Sequence, residues 1–286
     1  PAGGKGGAAG VMWAGKRVKE DFVSVGADGL AGVLTTPEGL AAPAGDLVVF
    51  LNPGSEPHTG PGRAWVEMAR DLACRQVSAL RVDMRGWGDS PDGPGGKYAL
   101  SRPYEPHSVG DARGIVESLC RQGWARVVLA GLCAGGWLAA HLARDTCFGG
   151  VLALDVPLHR QLGDPLFPNI RAAWAWRNVD LDEIKREAAA GRWDREDEQG
   201  LRNPAGQWLD SLVDNKVPVS LIYSGGNPNF ELLASRLARR MEVVQRSGYV
   251  RVLEVPEIDH PLHRTWLRPK VTGLLLAEMA RWAELA

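Results

Sequence analysis

The most constraining feature of the sequence is the regular alternation of short apolar segments with longer amphipathic ones. LVVFLN (47–52), RVVLAG (126–131) and VLALDV (151–156) are apolar along their whole length rather than at every second position. Strands of this kind are typical of a parallel sheet that helices cover on both faces. The sequence therefore predicts an α/β fold. Further strands are predicted at 79–84, 217–224 and 250–256, and helices near 61–76, 107–122, 134–145, 229–240 and 267–284.

The composition excludes several classes of function. Among the 286 residues, 33 Lys and Arg oppose 34 Asp and Glu, which gives a formal net charge of −1. This balance removes the electrostatic basis for binding nucleic acid or an anionic membrane. The cysteines have no metal-binding spacing, which favours free thiols in a reducing compartment, so we expect a cytoplasmic protein. The four cysteines are Cys74, Cys120, Cys133 and Cys147.

Two segments fall outside the alternation. Residues 1–15 begin with the Gly/Ala-rich PAGGKGGAAG, which predicts a flexible leader. Residues 161–217 contain no strand signal, and an insertion of this length in a compact domain is usually functional, so we interpret it as a helical lid. The alternative is a surface excursion without a role. The α/β core then comprises 16–160 and 218–286, and the predicted pocket or lid residues are Trp174, Trp176 and His159.

A motif of the form Gly-x-nucleophile-x-Gly lies where the strand RVVLA ends and a helix is predicted to begin. Its sequence is GLCAG (131–135). A nucleophile on a sharp strand-to-helix turn has a strained backbone, and the flanking glycines avoid a collision with that turn. The helix N-terminus favours the thiolate of Cys133 and places the backbone N–H of Ala134 to bind an oxyanion. Cys133 is therefore the candidate nucleophile, and the other cysteines are interpreted as structural.

Four segments, taken in order, resemble the α/β-hydrolase superfamily from about residue 20 to the C-terminus. LNPGS (51–55) resembles the loop after the third strand, where the backbone N–H of Ser55 would be the second oxyanion donor. RVDMRGWGDS (81–90) resembles a structural loop after the fourth strand. GLCAG resembles the nucleophile elbow, and EIDHPLH (257–263) resembles the loop that carries the catalytic histidine. Together with HTGPGRAWVEMARDLA, the elbow resembles a bacterial branch whose nucleophile is Cys.

This resemblance implies an α/β-hydrolase fold, with a mostly parallel central sheet flanked by helices and a helical lid insertion. It also implies that His260 is the base that takes the thiol proton and later protonates the leaving group. His263 is the main competitor for that role. An Asp-His-x-x-His metal site in the same stretch lacks further clustered ligands, so we expect no metal. Other histidines, such as His58, are interpreted as structural.

The third member of the catalytic set is where the sequence departs from the superfamily pattern. YSGGNPNFE (223–231) places Asn227 where an Asp is usual. Asn227 can orient His260 through its side-chain oxygen, as in papain-type Cys-His-Asn sites. Asp155, after the strand LALDV, would instead keep a negative charge beside the imidazolium and stabilise it more strongly. We favour Asp155, with Asn227 as its rival and Glu231 as a third choice.

These residues predict an enzyme that forms an acyl-thioester on Cys133 from an ester or thioester and then hydrolyses it. The expected substrate is a small-molecule or carrier-bound acyl compound, and we expect no cofactor. One alternative is an acyltransferase with a non-water acceptor, and another is a lyase that eliminates a carboxylate. Outside catalysis, the chain could be a degenerate hydrolase fold that only binds its ligand, because a fold does not guarantee a function.

Overall fold

A computed structural model of the chain describes residues 9–54, 56–93, 106–143, 148–157, 212–214, 216–236 and 238–285. These residues form one sheet with the strand order β1-β2-β3-β5-β4-β6-β7-β8-β9. The strands are β1 (Ala9–Trp13), β2 (Lys16–Val25), β3 (Leu30–Pro37), β4 (Asp46–Leu51), β5 (Ser78–Val82), β6 (Arg126–Leu132), β7 (Phe148–Leu154), β8 (Val219–Ser224) and β9 (Val250–Val255). The helices are α1 (Ala64–Cys74), α2 (Pro106–Gln122), α3 (Ala134–Leu142), α4 (Pro228–Arg236), α5 (Ala238–Arg246) and α6 (Arg268–Ala283), with short 3-10 turns at Pro61–Arg63 and Thr265–Leu267.

Most of the sheet is parallel, which confirms the predicted α/β-hydrolase architecture. β4 pairs in parallel with β5 on one side and β6 on the other, and parallel pairing continues through β7, β8 and β9. β1, β2 and β3 form an antiparallel extension that joins the sheet at β5. From β4 the chain runs first to β5 on one side and then to β6 on the other, so the strand order reverses at β4. Open α/β sheets bind ligands at such a switch point, beyond the carboxyl ends of the strands.

The core lies on both faces of the sheet, which explains why the central strands are apolar throughout. In β4, Leu47, Val49 and Leu51 face the side covered by α2 and α3. Val48 and Phe50 face the side covered by α1 and α6, where Phe50 stacks on Trp65 with ring centroids 4.8 Å apart. Because every position of β4 after Asp46 is buried, polar residues have no place until the strand ends.

The N-terminal segment differs from the flexible leader expected for 1–15. Residues 9–13 form β1, which pairs antiparallel with β2. The connecting residues Ala14 and Gly15 both have positive φ, at 46° and 77°, as a two-residue type I′ hairpin requires. Val11 and Trp13 pack against the buried cluster of Val18, Ala73 and Cys74. Pairing with β2 and these contacts therefore stabilise β1, whose own sequence does not predict a strand.

The other differences concern the C-terminal half. The helix expected near 229–240 is observed as α4 and α5, and helical structure continues to Arg246 because Met241 and Val244 still contact the core. Trp174, Trp176 and His159 lie outside the described residues, as does most of the segment 161–217, so the lid stays a prediction. None of the described helices combines the length and the apolar character needed to cross a bilayer.

Candidate active site

Cys133 occupies a strained turn between β6 and α3. Its backbone angles are φ 53° and ψ −116°, a conformation that side-chain-bearing residues rarely adopt and that is often retained at functional sites. A Cβ atom added to Gly135 would lie 2.6 Å from the carbonyl oxygen of Leu51 and 2.7 Å from that of Asn52. Gly131 faces the backbone of Gly135 just as closely. Both glycines of the motif are therefore required by the approach of neighbouring backbone.

The same turn fixes the backbone around the sulfur. The Cys133 N–H donates to the carbonyl of Leu154 at 2.8 Å, and the Cys133 carbonyl accepts from the N–H of Trp137 at 2.8 Å. Ala134 is the first residue of α3, so its N–H has no acceptor within the helix and is available to a negatively charged oxygen. Ser55, the other predicted oxyanion donor, lies outside the described residues.

The loop after β4, which would carry that second donor, is anchored by a residue that the sequence analysis did not single out. Asn52 is buried at the end of β4. Its Oδ1 accepts from the N–H of Met84 at 2.7 Å, and its Nδ2 donates to the carbonyl of Glu56 at 2.8 Å. Asn52 thereby connects the two ends of the loop 52–56 and links that loop to the residues after β5. A polar residue directly after an all-apolar strand was the signal that could have identified it.

His260 lies on the loop between β9 and α6 and connects the thiol to a carboxylate. Its Nδ1 is 2.9 Å from Asp155 Oδ2, and the side chain of Cys133 lies close enough to the same ring to affect its pKa. Because Asp155 occupies Nδ1, Nε2 is the ring nitrogen left for the sulfur. Burial opposes protonation of the ring, but the neighbouring side chains of Asp155 and Cys133 raise the pKa of His260 from 6.5 to about 10.

Asp155 follows β7 directly and is 2% exposed. Like Cys133, it has a positive φ, here 48°. Besides His260, it accepts hydrogen bonds from the N–H of Ser224 at 2.7 Å and from the hydroxyl of Ser224 at 2.8 Å. Three donors therefore hold this one buried carboxylate in place. Ser224 was missed by the sequence analysis, although a Ser at the end of the apolar strand β8 was a usable signal.

The structure gives Asn227 a different set of contacts. Its side-chain oxygen accepts from the N–H of Asn229 at 2.9 Å and from Asn229 Nδ2 at 3.2 Å. This is the pattern of a residue that caps the start of a helix, here α4. Among the described residues, the carboxylate that reaches His260 is Asp155, after β7, and Asn227 is engaged at the neighbouring helix.

Hydrogen bonds within the His260 loop and from the start of α6 fix the conformation of the loop. Asp259 accepts from the N–H groups of His263 at 2.8 Å and Arg264 at 3.2 Å. The buried Arg268 donates through Nε to the carbonyl of Leu262 at 2.9 Å, and its Nη1 lies 2.8 Å from Glu67 Oε1 on α1. His263 lies beside Gly62, so the loop presents His260, rather than His263, to Cys133. Arg268 was also missed, since nothing in the sequence marks an Arg in a helix as buried.

A second group of polar residues lies at the end of β5. The ligand atoms of His58, Asp83 and Asp89 lie within 4.8 Å of one another, close enough in principle for a metal ion. Both oxygens of Asp83 are, however, already used: Oδ1 accepts from the N–H of His58 at 2.5 Å, and Oδ2 lies 2.8 Å from His58 Nδ1 and accepts from the N–H of Asp89 at 3.0 Å. The group closes two loops onto each other.

With the geometry established, the chain can be compared with known proteins. None of the curated proteins matches it. Solved structures with a similar fold include the Pyrococcus furiosus esterase Pf2001, at 14% identity, 95% coverage of this chain, 97% of that one and a TM-score of 0.59. Est1E from Butyrivibrio proteoclasticus, with ferulic acid bound, has 16% identity, coverages of 91% and 99% and a TM-score of 0.54.

The thioesterase domain from the curacin biosynthetic pathway is similar in the same way, with 14% identity, coverages of 92% and 99% and a TM-score of 0.52. At such low identity these likenesses show the fold alone. The sequence itself gives the stronger result, because residues 48–282 match the model of the alpha/beta hydrolase family. This match spans the elbow, the His260 loop and the strands between them, and the chain therefore belongs to the alpha/beta hydrolase family.

Proposed function

We propose that the chain hydrolyses an ester or thioester through a covalent acyl-enzyme on Cys133. The observation that carries the proposal is the connected set at the carboxyl edge of the sheet. A thiol on a strained turn lies beside the ring of His260, whose Nδ1 is 2.9 Å from a buried carboxylate, Asp155. This nucleophile, base and orienting group follow the general logic of a catalytic triad.

The chemistry begins with a thiolate–imidazolium pair. His260 holds the proton, and Asp155 stabilises the positive charge on the ring. The sulfur attacks the acyl carbon, and the negative charge that develops on the carbonyl oxygen is met by the N–H of Ala134 at the start of α3. Nε2 of His260 then gives its proton to the leaving alkoxide or thiolate, which leaves the acyl group bonded to Cys133.

Deacylation reverses the roles. His260, now neutral, accepts a proton from water as the water oxygen attacks the thioester carbonyl, and keeps that proton as the Cys133 thiolate is expelled, which releases the carboxylic acid and restores the thiolate–imidazolium pair. The esterases and thioesterase of similar fold support hydrolysis as the outcome. The substrate we propose is a small or carrier-bound acyl compound, since an activated acyl group suits a thiolate nucleophile better than a stable amide does.

Rapid-quench intact-mass measurement with p-nitrophenyl acetate and an acetyl thioester tests the proposal. The wild-type chain should gain one acetyl group, located on Cys133 by peptide mapping, and should release acetate. Cys133→Ala should show neither, with turnover reduced by about 10⁴-fold or more. Cys120→Ala is the matched control, because Cys120 is a partly buried cysteine on α2, away from the elbow, and it should behave as wild type.

The other outcomes separate the competing functions. An acetyl adduct that persists in water but transfers to an added amine or thiol would indicate an acyltransferase. Product without any adduct, even at the earliest quench times, would indicate elimination. A chain that is neither acetylated nor alkylated by iodoacetamide at Cys133 would be a binding protein, and the proposed hydrolase function would be wrong.

A further inference from the structure

A cavity of about 320 Å³ lies on the sheet near the first strands, and its lining includes none of the three residues Cys133, His260 and Asp155. The floor of this cavity is a row across three strands. Phe22 on β2 pairs with Val33 on β3, which in turn pairs with Arg81 on β5. Paired residues in neighbouring strands project to the same face. The row therefore places a phenyl ring, an aliphatic side chain and a guanidinium side by side.

One wall of the cavity is formed by α1 and the residue before it. Val66 and Arg70, four positions apart on one face of α1, line the cavity together with Arg63, which precedes the helix. The loop residues His58 and Thr59 complete the lining near the end of β5. On the wall an apolar side chain, Val66, thus lies between two guanidinium groups, and the row on the floor ends in a third, that of Arg81.

The charges in the cavity do not balance. Its lining holds three guanidinium groups and a single carboxylate, Glu20. Glu20 lies 2.7 Å from Arg70 Nη2 and 3.2 Å from Arg81 Nη2. Arg63 has no ion-pair partner among the residues that the structure describes. Two positive charges are therefore left without a counter-charge in the lining, and one of them is on an exposed side chain at the rim.

The buried side chain of Arg81 also has a donor without a partner among the described residues. The residue is 3% exposed, and its Nε finds no hydrogen-bond acceptor in the described part of the chain. Burial lowers the pKa of Arg81, and the neighbouring charges of Arg70 and Arg63 lower it further, while Glu20 opposes them. A buried guanidinium donor without a partner costs free energy. A bound anion in the cavity would supply the missing negative charge beside Arg81.

The apolar part of the lining indicates what else the ligand carries. Phe22 is 81% exposed, which is unusual for a phenylalanine next to buried ion pairs. Together with Val33 and Val66 it offers an apolar surface beside the guanidinium groups. The volume of the cavity suits a small organic molecule.

We propose that this cavity, separate from the Cys133 site, binds a small organic anion. The phosphate or carboxylate group of the ligand contacts Arg63 and Arg81, and its apolar part covers Phe22 and Val66. Guanidinium groups bind both kinds of oxyanion through charged hydrogen bonds. The site depends on neither acylation nor the thiol, so it can be tested without reference to the proposed hydrolysis.

The test uses full-length Cys133→Ala, so that turnover does not interfere, and measures thermal stabilisation and calorimetric binding at constant ionic strength. Phenyl phosphate and benzoate are the two anionic probes, and phenol is the neutral one. We expect saturable stabilisation by at least one anion and none by phenol, because ligands that bind only the folded state raise its stability. The difference between phenyl phosphate and benzoate identifies the preferred anionic group.

Arg63→Gln should weaken binding of the preferred anion by about tenfold, as expected for loss of a charged hydrogen bond. Arg75→Gln is the matched control, since Arg75 is exposed at the opposite end of α1, and its affinity should equal that of the parent. Phe22→Ser should weaken phenyl phosphate but leave inorganic phosphate unchanged. The proposal is overturned if neither anion gives saturable stabilisation, or if the Arg63 and Arg75 variants bind equally well.

Discussion

Two histidine–carboxylate pairs lie at the carboxyl edge of the sheet, and their internal geometry is nearly the same. His260 Nδ1 is 2.9 Å from Asp155 Oδ2, and His58 Nδ1 is 2.8 Å from Asp83 Oδ2. Both carboxylates are buried, at 2% and 0% exposure, and each comes directly after a strand. A distance criterion applied to the pair alone would not separate a catalytic histidine from a structural one.

The surroundings of the two rings do separate them. His58 binds Asp83 through its backbone N–H as well as its ring, so the residue closes a loop. His260 contacts Asp155 through one nitrogen only, and the side chain of Cys133 lies beside the same ring. Its side chain is 47% exposed, against 15% for His58. A thiol beside the ring, together with solvent access, therefore distinguishes the His260 pair as the one suited to catalysis.

Removing each ring in turn should give the largest difference between the two pairs. We expect His260→Ala to lower kcat for p-nitrophenyl acetate by about 10⁴-fold, as loss of the general base does elsewhere. His58→Ala should keep kcat within about tenfold but lower the free energy of unfolding by about 1–3 kcal/mol, because Asp83 loses a buried donor. Steady-state kinetics and urea unfolding measure both. A folded His58 variant as inactive as the His260 variant would remove the distinction.

The carboxylates give the next largest contrast. Asp155→Asn should lower kcat by about 10²–10³-fold, since the imidazolium loses its counter-charge. Asp83→Asn should cost little activity and about 2–3 kcal/mol of stability, because its amide N–H₂ would face groups that are themselves donors. Kinetics measured at temperatures below the unfolding transition, with the folded fraction checked by circular dichroism, separate the loss of kcat from the loss of stability. Equal losses of kcat in the two variants would contradict the assignment of Asp155.

Most of the sheet could be predicted from the sequence because buried parallel strands leave a strong signal. β4, β6 and β7 are apolar at nearly every position, and the amphipathic stretches between them are helices. β1 could not be predicted in the same way. It is a five-residue edge strand after a Gly/Ala-rich stretch, and its stability comes from pairing with β2, which depends on tertiary context rather than local pattern.

The strained turn at Cys133 was predictable for a local reason, whereas the carboxylate that contacts His260 was not. Glycines on both sides of Cys133 are needed within five residues of chain, so the sequence itself shows them. The choice between Asp155 and Asn227 depends on which loop faces His260. β7 and β8 are neighbours in the sheet, so both residues lie near the same edge. They differ in their hydrogen bonds: Asp155 contacts His260 and Ser224, whereas Asn227 accepts from Asn229. Such contacts are set by packing, which the sequence does not display.

A smaller effect is expected in the pH dependence of stability that the titration of His260 produces. The folded chain holds the His260 proton up to about pH 10, whereas an unfolded chain releases it near 6.5. The resulting stability is fully present below pH 6.5 and is lost as the pH rises through 10. The difference in unfolding free energy between wild type and His260→Gln should therefore shrink across this window.

The same titration can be followed directly by NMR of the His260 ring. In Cys133→Ala the pKa of His260 should be lower than in wild type, because one of its raising partners is gone. The pKa should fall in Asp155→Asn for the same reason. If the ring titrates near its ordinary value in wild type and does not move in Cys133→Ala, the thiol and the imidazole are not coupled.

The smallest expected effect comes from the residues that support each carboxylate. Ser224 donates its hydroxyl to Asp155 at 2.8 Å, and Asn52 donates to Asp83 at 3.4 Å. Ser224→Ala should lower kcat by only about 3–10-fold, because the backbone N–H of the same residue still holds Asp155. KM should be unchanged, since Ser224 acts through Asp155 rather than on substrate.

Ser220→Ala is the matched control for that change, because Ser220 is a buried serine on the same strand whose hydroxyl binds Glu278 on α6. It should lose stability without losing kcat. The pH dependence adds a readout that a purely structural role would not change: Ser224→Ala should leave Asp155 less firmly oriented and so lower the pKa of His260 slightly, whereas Ser220→Ala should not. Equal kinetic effects of the two variants would show that Ser224 supports the strand and not the orientation of the imidazole.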